Sequence, residues 1–295
     1  MTSIILRRRK LGRGSSAGIS AASTTGIYAV RNWKDSDVPA GADTNGYVFR
    51  WGCTSTLPVV YSQRTVVNTA DAIHWCSDKR QGRLDMQAAG VPVPKTWATA
   101  DAYNESDHWP SAVVLRPAKH AQGRNLTVHD PEESSHQWDE LLRLARNYGS
   151  YYISELVNKV AEYRVMVVCG RVAWVAKKTP GNPEDVAWNV ARGGRFDNVR
   201  WGEWPTKVVD AALKAAKVGK LDFGGVDVMV DAEGKPYVLE VNSAPSQTSE
   251  YRQRCVAKCF DYIVTKGKEH FADVEYTPRR TWKSYIHPAL RTDDA

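Results

Sequence analysis

Asp227, at the end of the run Gly224-Gly225-Val226-Asp227, lies thirteen positions before Glu240, which opens Glu240-Val241-Asn242. This spacing constrains the chain more than any other feature. Apolar stretches at 225–230 and 237–241 read as strands joined by the turn sequence Asp231-Ala232-Glu233-Gly234-Lys235. Side chains alternate between the faces of a strand, so Glu240 and Asn242 point the same way, and a hairpin brings Asp227 beside them. Three oxygen donors on one rigid face suit a hard cation. Mg²⁺ in particular favours a few carboxylates completed by substrate phosphates. The alternative is a hairpin whose acidic residues face water. The apolar run around Val241 argues against full exposure, because a buried carboxylate needs a compensating charge.

Composition removes several classes. A chain of 295 residues with 42% hydrophobic content can bury a sizeable core. A charged fraction of 25% is ordinary for a globular protein and excludes a mainly disordered one. The formal charge of +7 favours anionic partners without choosing among nucleotides, phosphates, acidic side chains and nucleic acid. No apolar run reaches the roughly 18 residues of a membrane span. Ile4, Ile5 and Leu6 precede Arg7, Arg8 and Arg9, the reverse of a secretory signal, so an intracellular, cytoplasmic protein is expected. Cys53, Cys76, Cys169, Cys255 and Cys259 are odd in number and irregularly spaced, which reads as reduced thiols and not a disulfide framework. Cys255 and Cys259 share a helical face, but two ligands do not make a zinc site.

Along the chain, residues 1–75 read as a small α/β unit. It opens with a basic cluster and a small-residue stretch at 14–25, followed by strands at Tyr47–Trp51 and 58–61. The basic cluster is a solvated face beside an anionic cleft, or a phosphate or nucleic-acid contact. Ser77 opens a helix with Asp78 in its first turn; Gly90, Pro92 and Pro94 end it. Strands follow at 112–116 and 126–129. Trp138, Leu141, Leu142, Leu144 and Ala145 then recur at helical spacing as core. Further strands at 151–156, 162–169 and 172–178 include a tight hairpin at Gly170-Arg171. Helices are expected at 206–217 and 248–266, with a polar tail or clasp over 271–295.

Tyr237-Val-Leu-Glu240-Val-Asn242-Ser-Ala-Pro245, after Leu221-Asp-Phe-Gly-Gly-Val-Asp227, resembles the metal-binding end of the ATP-grasp superfamily. The resemblance continues upstream in order. Ser77-Asp78-Lys79 with Gly90-Val-Pro-Val-Pro94 is similar to the segment that opens the family's ATP-binding region. Val113-Val-Leu-Arg116-Pro117 is similar to the strand that ends in a phosphate-binding cation. The loop 118–125, with Gln122 and Gly123, is similar to the mobile phosphate-covering loop. Tyr152-Ile-Ser-Glu155-Leu156 is similar to the adenine hinge. Asn189-Val-Ala-Arg192-Gly193-Gly194 resembles the corresponding run in amino-acid ligases of the RimK, glutamate-adding, type. The six motifs span about residues 65–250.

This resemblance implies a mixed α/β (α+β) ATP-grasp fold: an N-terminal lobe over 1–75, a central lobe over 76–153, a C-terminal lobe with the metal site over 154–270, and a tail over 271–295. ATP would lie between the central and C-terminal lobes. Lys79 and Arg116 would bind its phosphates beneath Gln122 and Gly123. Glu155 and Leu156 would meet the adenine through backbone groups, and Glu162 would accept from the ribose hydroxyls. Lys178 would approach the γ-phosphate, and Arg192 would neutralise an acyl phosphate or fix the acid substrate. Asp227, Glu240 and Asn242 would hold two Mg²⁺ ions bridged by Glu240, with Mn²⁺ as an alternative. Phosphoryl transfer is catalysed mainly by positioning and charge neutralisation, which suits this set.

The implied activity is an ADP-forming carboxylate–amine ligase acting through an acyl phosphate, with an amino acid, peptide or protein as the amine acceptor. Arg116 departs from the family's usual lysine, and 118–125 has one glycine, with Lys119, His120 and Arg124 as added phosphate contacts or surface charges. His120 and His129 are not needed as bases. Trp188, Trp201 and Trp204 bracket the Arg192 loop. Two rivals stand: a small-molecule kinase on the same machinery, and a nucleic-acid-binding module supported only by the basic N-terminus.

Overall fold

Ile4, Ile5 and Leu6 are fully buried, as an unbroken apolar run must be when both faces of its strand are covered. The computed structural model describes residues 3–7, 13–31, 45–57, 61, 63–107, 110–119, 126–130, 143, 150–188, 193–268, 270 and 284–290. Strand β1 (Ile4–Arg7) lies inside a four-stranded parallel sheet between β2 (Tyr28–Arg31) and β3 (Tyr47–Trp51), with β4 (Thr65–Val67) beyond β3. The small-residue stretch after the basic cluster forms helix α1 (Arg13–Ala22), which packs on the last long helix of the chain. Gly18 permits that approach, since a Cβ there would fall within 2.0 Å of the Gln253 side chain.

The strand expected at 58–61 falls largely outside the described residues, at 58–60. Tyr61 sits in a turn, and the pairing partner of β3 is β4.

Helix α2 (Ala70–Ser77) and helix α3 (Lys79–Ala88) meet at Asp78. Ser77 therefore ends one helix instead of opening the next. Asp78 is the N-cap of α3, accepting from the Gln81 amide at 3.0 Å. The turn through Gly90, at φ +70°, leads to β5 (Thr96–Trp97) and helix α4 (Ala100–Asn104). With β6 (Val113–Pro117), β7 (Thr127–His129) and β8 (Tyr151–Glu155), β5 forms an antiparallel sheet in the order β5-β8-β6-β7. Trp97, Tyr103, Val113, Leu115 and Ile153 form its small core. The helix expected around Trp138–Ala145 lies outside the described residues apart from Arg143.

The third sheet is antiparallel, in the order β11-β10-β9-β12-β13. It comprises β9 (Lys159–Val168), β10 (Arg171–Thr179), β11 (Arg195–Asn198), β12 (Phe223–Asp231) and β13 (Pro236–Asn242). The β9–β10 turn is Cys169-Gly170, at φ +45° and +67°, one residue earlier than expected. Both central positions of such a turn need φ > 0, which Gly170-Arg171 could not supply. Helix α5 (Thr206–Val218) covers the sheet with Val208, Val209, Ala212 and Ala216, and helix α6 (Glu250–Lys266) packs against β10 and α1.

Phe49 stacks on Phe260 at 4.1 Å and Trp51 on Phe223 at 5.4 Å, so the first and third sheets share one core. Asn68, fully buried at φ +66°, stitches them further. Its side chain accepts from the Asp222 and Phe223 amides and donates to the Phe223 carbonyl. Residues 285–287 add to the free edge of β10 through Val172, and Tyr285 Oη donates to Asp210 at 2.8 Å. No helix among the described residues is long and apolar enough to cross a membrane. The observed architecture is the mixed α/β class expected.

Candidate active site

The hairpin read from the sequence forms, with Asp227 opposite Glu240 in the β12–β13 register. On its other edge β12 pairs with β9, which sets Asp227 opposite Arg164. Arg164 grips Asp227 with two bonds of 2.6 Å, from Nε to Oδ1 and from Nη2 to Oδ2. Gly225 lets the loop after β13 fold over this corner, because a Cβ there would come within 2.6 Å of Pro245. Glu240 accepts from Lys79 Nζ and, at 2.9 Å, from Asn242 Nδ2.

Burial would raise the Glu240 pKa, but Lys79, Asn242 and Arg164 hold it far below the usual carboxylate range. Burial would likewise lower the Arg164 pKa, and Asp227 raises it instead. Two carboxylates and an amide oxygen on adjacent strands, all lining one cleft, are the donors a hard divalent cation takes. The Lys79 ammonium and the Arg164 guanidinium supply the positive charge such an ion would bring. The residues fit the ion.

Next to this corner runs a chain of buried charges. Lys178 donates to Glu162, its cross-strand neighbour, and its Nζ lies 3.9 Å from Asp227 Oδ2. Lys159 donates to the other Glu162 oxygen at 2.7 Å and to the Val186 carbonyl at 3.0 Å, and sits 4.5 Å from the Trp188 ring centroid. Glu162 is thus held by two lysines, one on each oxygen, and lines the cleft.

Lys79, expected among the phosphate contacts, is placed on Glu240 instead. Arg83, which the sequence reading missed, lies one helical turn along the same face of α3. It is 1% exposed; its Nε donates to the Leu239 carbonyl at 2.7 Å, while Nη1 and Nη2 have no partner. Burial holds its pKa down to about 10. Arg116 is its neighbour, with a buried Nε also unpartnered. Two arginines with unspent donors in a cleft wall form an anion site. The i, i+4 spacing of Lys79 and Arg83 was the available signal.

Glu155 and Leu156, expected at the adenine hinge, both line the cleft. The Glu155 amide donates to the Lys95 carbonyl at 2.9 Å and the Leu156 amide to the Ala112 carbonyl at 2.8 Å. These two bonds use the amides; Val157 and Asn158, which follow, also line the cleft. Gln122, Gly123, His120, Arg124 and Arg192 lie outside the described residues. His129 is buried at the end of β7 and does not line the cleft.

The cleft has a volume of about 1240 Å³, and its lining includes Leu156, Met229, Arg83, Lys178, Asp227 and Arg252. This exceeds the roughly 300–1,000 Å³ of a single small-ligand pocket. Cys76 lines it, but burial pushes its thiol to about 12, so it is no nucleophile at neutral pH. All five cysteines are free, as expected.

Residues 98–257 match the family model of the RimK-like ATP-grasp domain. The chain is 29% identical over 208 residues to a D-alanine–D-alanine ligase of Gloeobacter violaceus, covering 61% of this chain and 62% of that protein. It is 25% identical over 241 residues to a tetrahydromethanopterin:alpha-L-glutamate ligase of Methanosarcina acetivorans, covering 71% of each. The chain therefore spans about three-fifths of the length of the first relative. Among solved structures, the ATP-grasp ligase PsnB, complexed with a phosphomimetic variant of its minimal precursor, Mg and ADP, superposes with a TM-score of 0.59. It covers 90% of this chain and 99% of that one at 15% identity, which shows a shared fold.

Proposed function

This chain belongs to the RimK-like ATP-grasp family, and we propose that it is an ATP-dependent, ADP-forming carboxylate–amine ligase. One observation carries the reading. The Asp227–Glu240–Asn242 corner, buried Lys178 and the unspent donors of Arg83 and Arg116 line a single cleft. Asp227, Glu240 and Asn242 would hold Mg²⁺, which would supply charge neutralisation on the transferring phosphoryl group. Arg83 and Arg116 bind the nucleotide's phosphates, and Lys178 meets the γ-phosphoryl group. The nucleotide lies between lobes of about 76–153 and 154–270, with the lobe of 1–75 shaping the acceptor end.

A carboxylate oxygen attacks the γ-phosphorus, and the bond to the bridging oxygen of ADP breaks. The amine nitrogen then adds to the acyl carbon, phosphate leaves with the C–O electron pair, and the nitrogen loses a proton to give the amide. The acyl phosphate replaces a poor leaving group with a good one. An intracellular setting, where ATP is abundant, fits this chemistry.

The test is ADP release from Mg-ATP with pooled amino acids and small carboxylic acids, hydroxylamine being the trap. Hydroxamate formed by the intact protein and not by Glu240→Ala supports the ligase. Unchanged ATP turnover in Glu240→Ala, or a phosphorylated product without hydroxamate, would falsify it.

A further inference from the structure

Helix α3 meets strand β13 through two basic side chains one turn apart. Arg83 Nε donates to the Leu239 carbonyl at 2.7 Å, and Lys79 Nζ donates to Oε2 of Glu240, the next residue of β13. The Lys79 amide donates to the Ala118 carbonyl at 3.0 Å, two residues beyond Arg116. The root of the Lys79 side chain is therefore fixed between the Asp227–Glu240–Asn242 corner and the Arg83–Arg116 anion site, while its four-carbon stem is flexible. The side chains of Lys79 and Glu240 are 14% and 24% exposed, so water reaches the pair and it can open without unfolding the lobe.

The charges around the corner do not favour a bare cation. Its carboxylates are Asp227, Glu240 and Glu162, and Arg164, Lys79, Lys178 and Lys159 are paired to them. Four positive groups against three negative ones leave the cluster net positive, with Arg83 and Arg116 close by. A divalent cation entering alone is repelled and must displace a resident donor, because Glu240 Oε2 is engaged by Lys79 and Oε1 by Asn242 Nδ2 at 2.9 Å. Arg164 is tied by two bonds of 2.6 Å, and Lys178 and Lys159 share the buried Glu162. Lys79 is the most exposed of the four and the easiest to move.

A polyphosphate reverses this balance. Its oxygens at Arg83 and Arg116 give the Lys79 ammonium a more highly charged partner one helical turn away, and they supply the negative charge that a hard cation requires.

Building on the ligase reading, we infer that Lys79 and the metal ion are alternative partners of Glu240, exchanged by the nucleotide. Lys79 holds Glu240 against a free divalent cation. Phosphates at Arg83 and Arg116 draw the ammonium away, and Glu240 is released to the metal. Metal and nucleotide binding are thereby coupled through one side chain, equally in both directions.

Mn²⁺ is the probe, and the fraction retained by the protein is read by equilibrium dialysis, first without nucleotide and then with ADP. Wild type retains Mn²⁺ weakly alone and much more tightly with ADP. Lys79→Met binds Mn²⁺ alone at least about 10-fold more tightly than wild type, because a charge-assisted bond no longer competes for Glu240. Its affinity for ADP in EDTA falls about 10-fold. Lys79→Arg keeps the charge and stays as weak for Mn²⁺ as wild type. Lys79→Gln, which still donates to Glu240 without a charge, falls between the two and carries the test where Lys79→Met does not fold. Adding Glu240→Gln to Lys79→Met abolishes the gain. A purely structural lysine gives no gain of metal affinity in any variant. Wild type that binds Mn²⁺ without ADP as tightly as the uncharged variants, or a gain that survives Glu240→Gln, overturns the inference, while hydroxamate formation leaves the ligase reading standing. Absence of Mn²⁺ binding even with ADP removes both.

Discussion

Replacing Arg164 by methionine removes the partner of Asp227 while keeping much of the side-chain volume. The Asp227 side chain is 5% exposed and receives both of its short bonds from Arg164. Breaking a buried ion pair from one side costs about 3–5 kcal/mol, because the remaining charge keeps its desolvation penalty. Lys178 Nζ, 3.9 Å from Asp227 Oδ2, stays behind as a partial counter-charge although Glu162 already engages it. The loss should therefore fall near the lower end, about 3 kcal/mol. At roughly 2–4 °C per kcal/mol for a chain of this size, the melting temperature drops by about 6–12 °C.

The assay is thermal and urea unfolding by circular dichroism, in buffer free of divalent cations and nucleotide. The double variant Arg164→Met/Asp227→Asn removes both charges and should lose clearly less than the sum of the two single changes. Additive losses, or a loss for Arg164→Met below about 1 kcal/mol, would refute the reasoning. A second arm separates this pair from the metal proposal. Mg-ADP should stabilise Arg164→Met more than wild type if a cation takes over the Asp227 charge; if it does not, the unfolding cycle still stands.

Arg83→Leu should separate stability from function. It removes a buried guanidinium with two unpartnered nitrogens and only one bond, so the ligand-free protein should melt at the same temperature or higher. Nucleotide affinity, measured with a fluorescent ATP analogue in Mg²⁺, should fall about tenfold or more; a lower melting temperature with unchanged affinity would contradict this. Asp261, on α6, accepts from Ser23 Oγ at 2.5 Å, Thr24 N and Oγ1 at 2.8 and 2.9 Å, and Thr25 Oγ1 at 2.7 Å, tying the α1–β2 corner to α6. Burial would raise its pKa, but these bonds lower it overall. Its stabilisation is thus complete above the unfolded value of about 3.9 and is lost as pH falls through the lower folded value. Asp261→Asn should cost about 2–4 kcal/mol at pH 7 and flatten the acid limb of a stability–pH curve; an acid limb like that of wild type would count against it.

The Asp227–Glu240–Asn242 hairpin was legible because everything that makes it is local. Strand alternation, a turn of the Asp-Ala-Glu-Gly-Lys kind and a fixed spacing decide it within sixteen residues of chain. Most strands and helices around it were legible for the same reason, to within about three residues, because each has its own periodicity and its own stop signal; β11 was not read. Ile4-Ile5-Leu6 was not, since a short apolar run carries no period, and only burial on both faces makes it the inner strand of a sheet. Pairing across long separations was beyond the sequence as well. Arg164 meets Asp227 because β9 and β12 are neighbours, and Lys79 meets Glu240 because α3 packs on β13. Arg83 is an ordinary basic residue on an amphipathic helix when read in one dimension. Its two unpartnered nitrogens exist only in three dimensions, where burial makes an unsatisfied guanidinium costly and so turns it into a statement about a ligand. The sequence determined which residue types could carry the chemistry. The tertiary structure decided which charges are already spent on one another and which are left for a substrate.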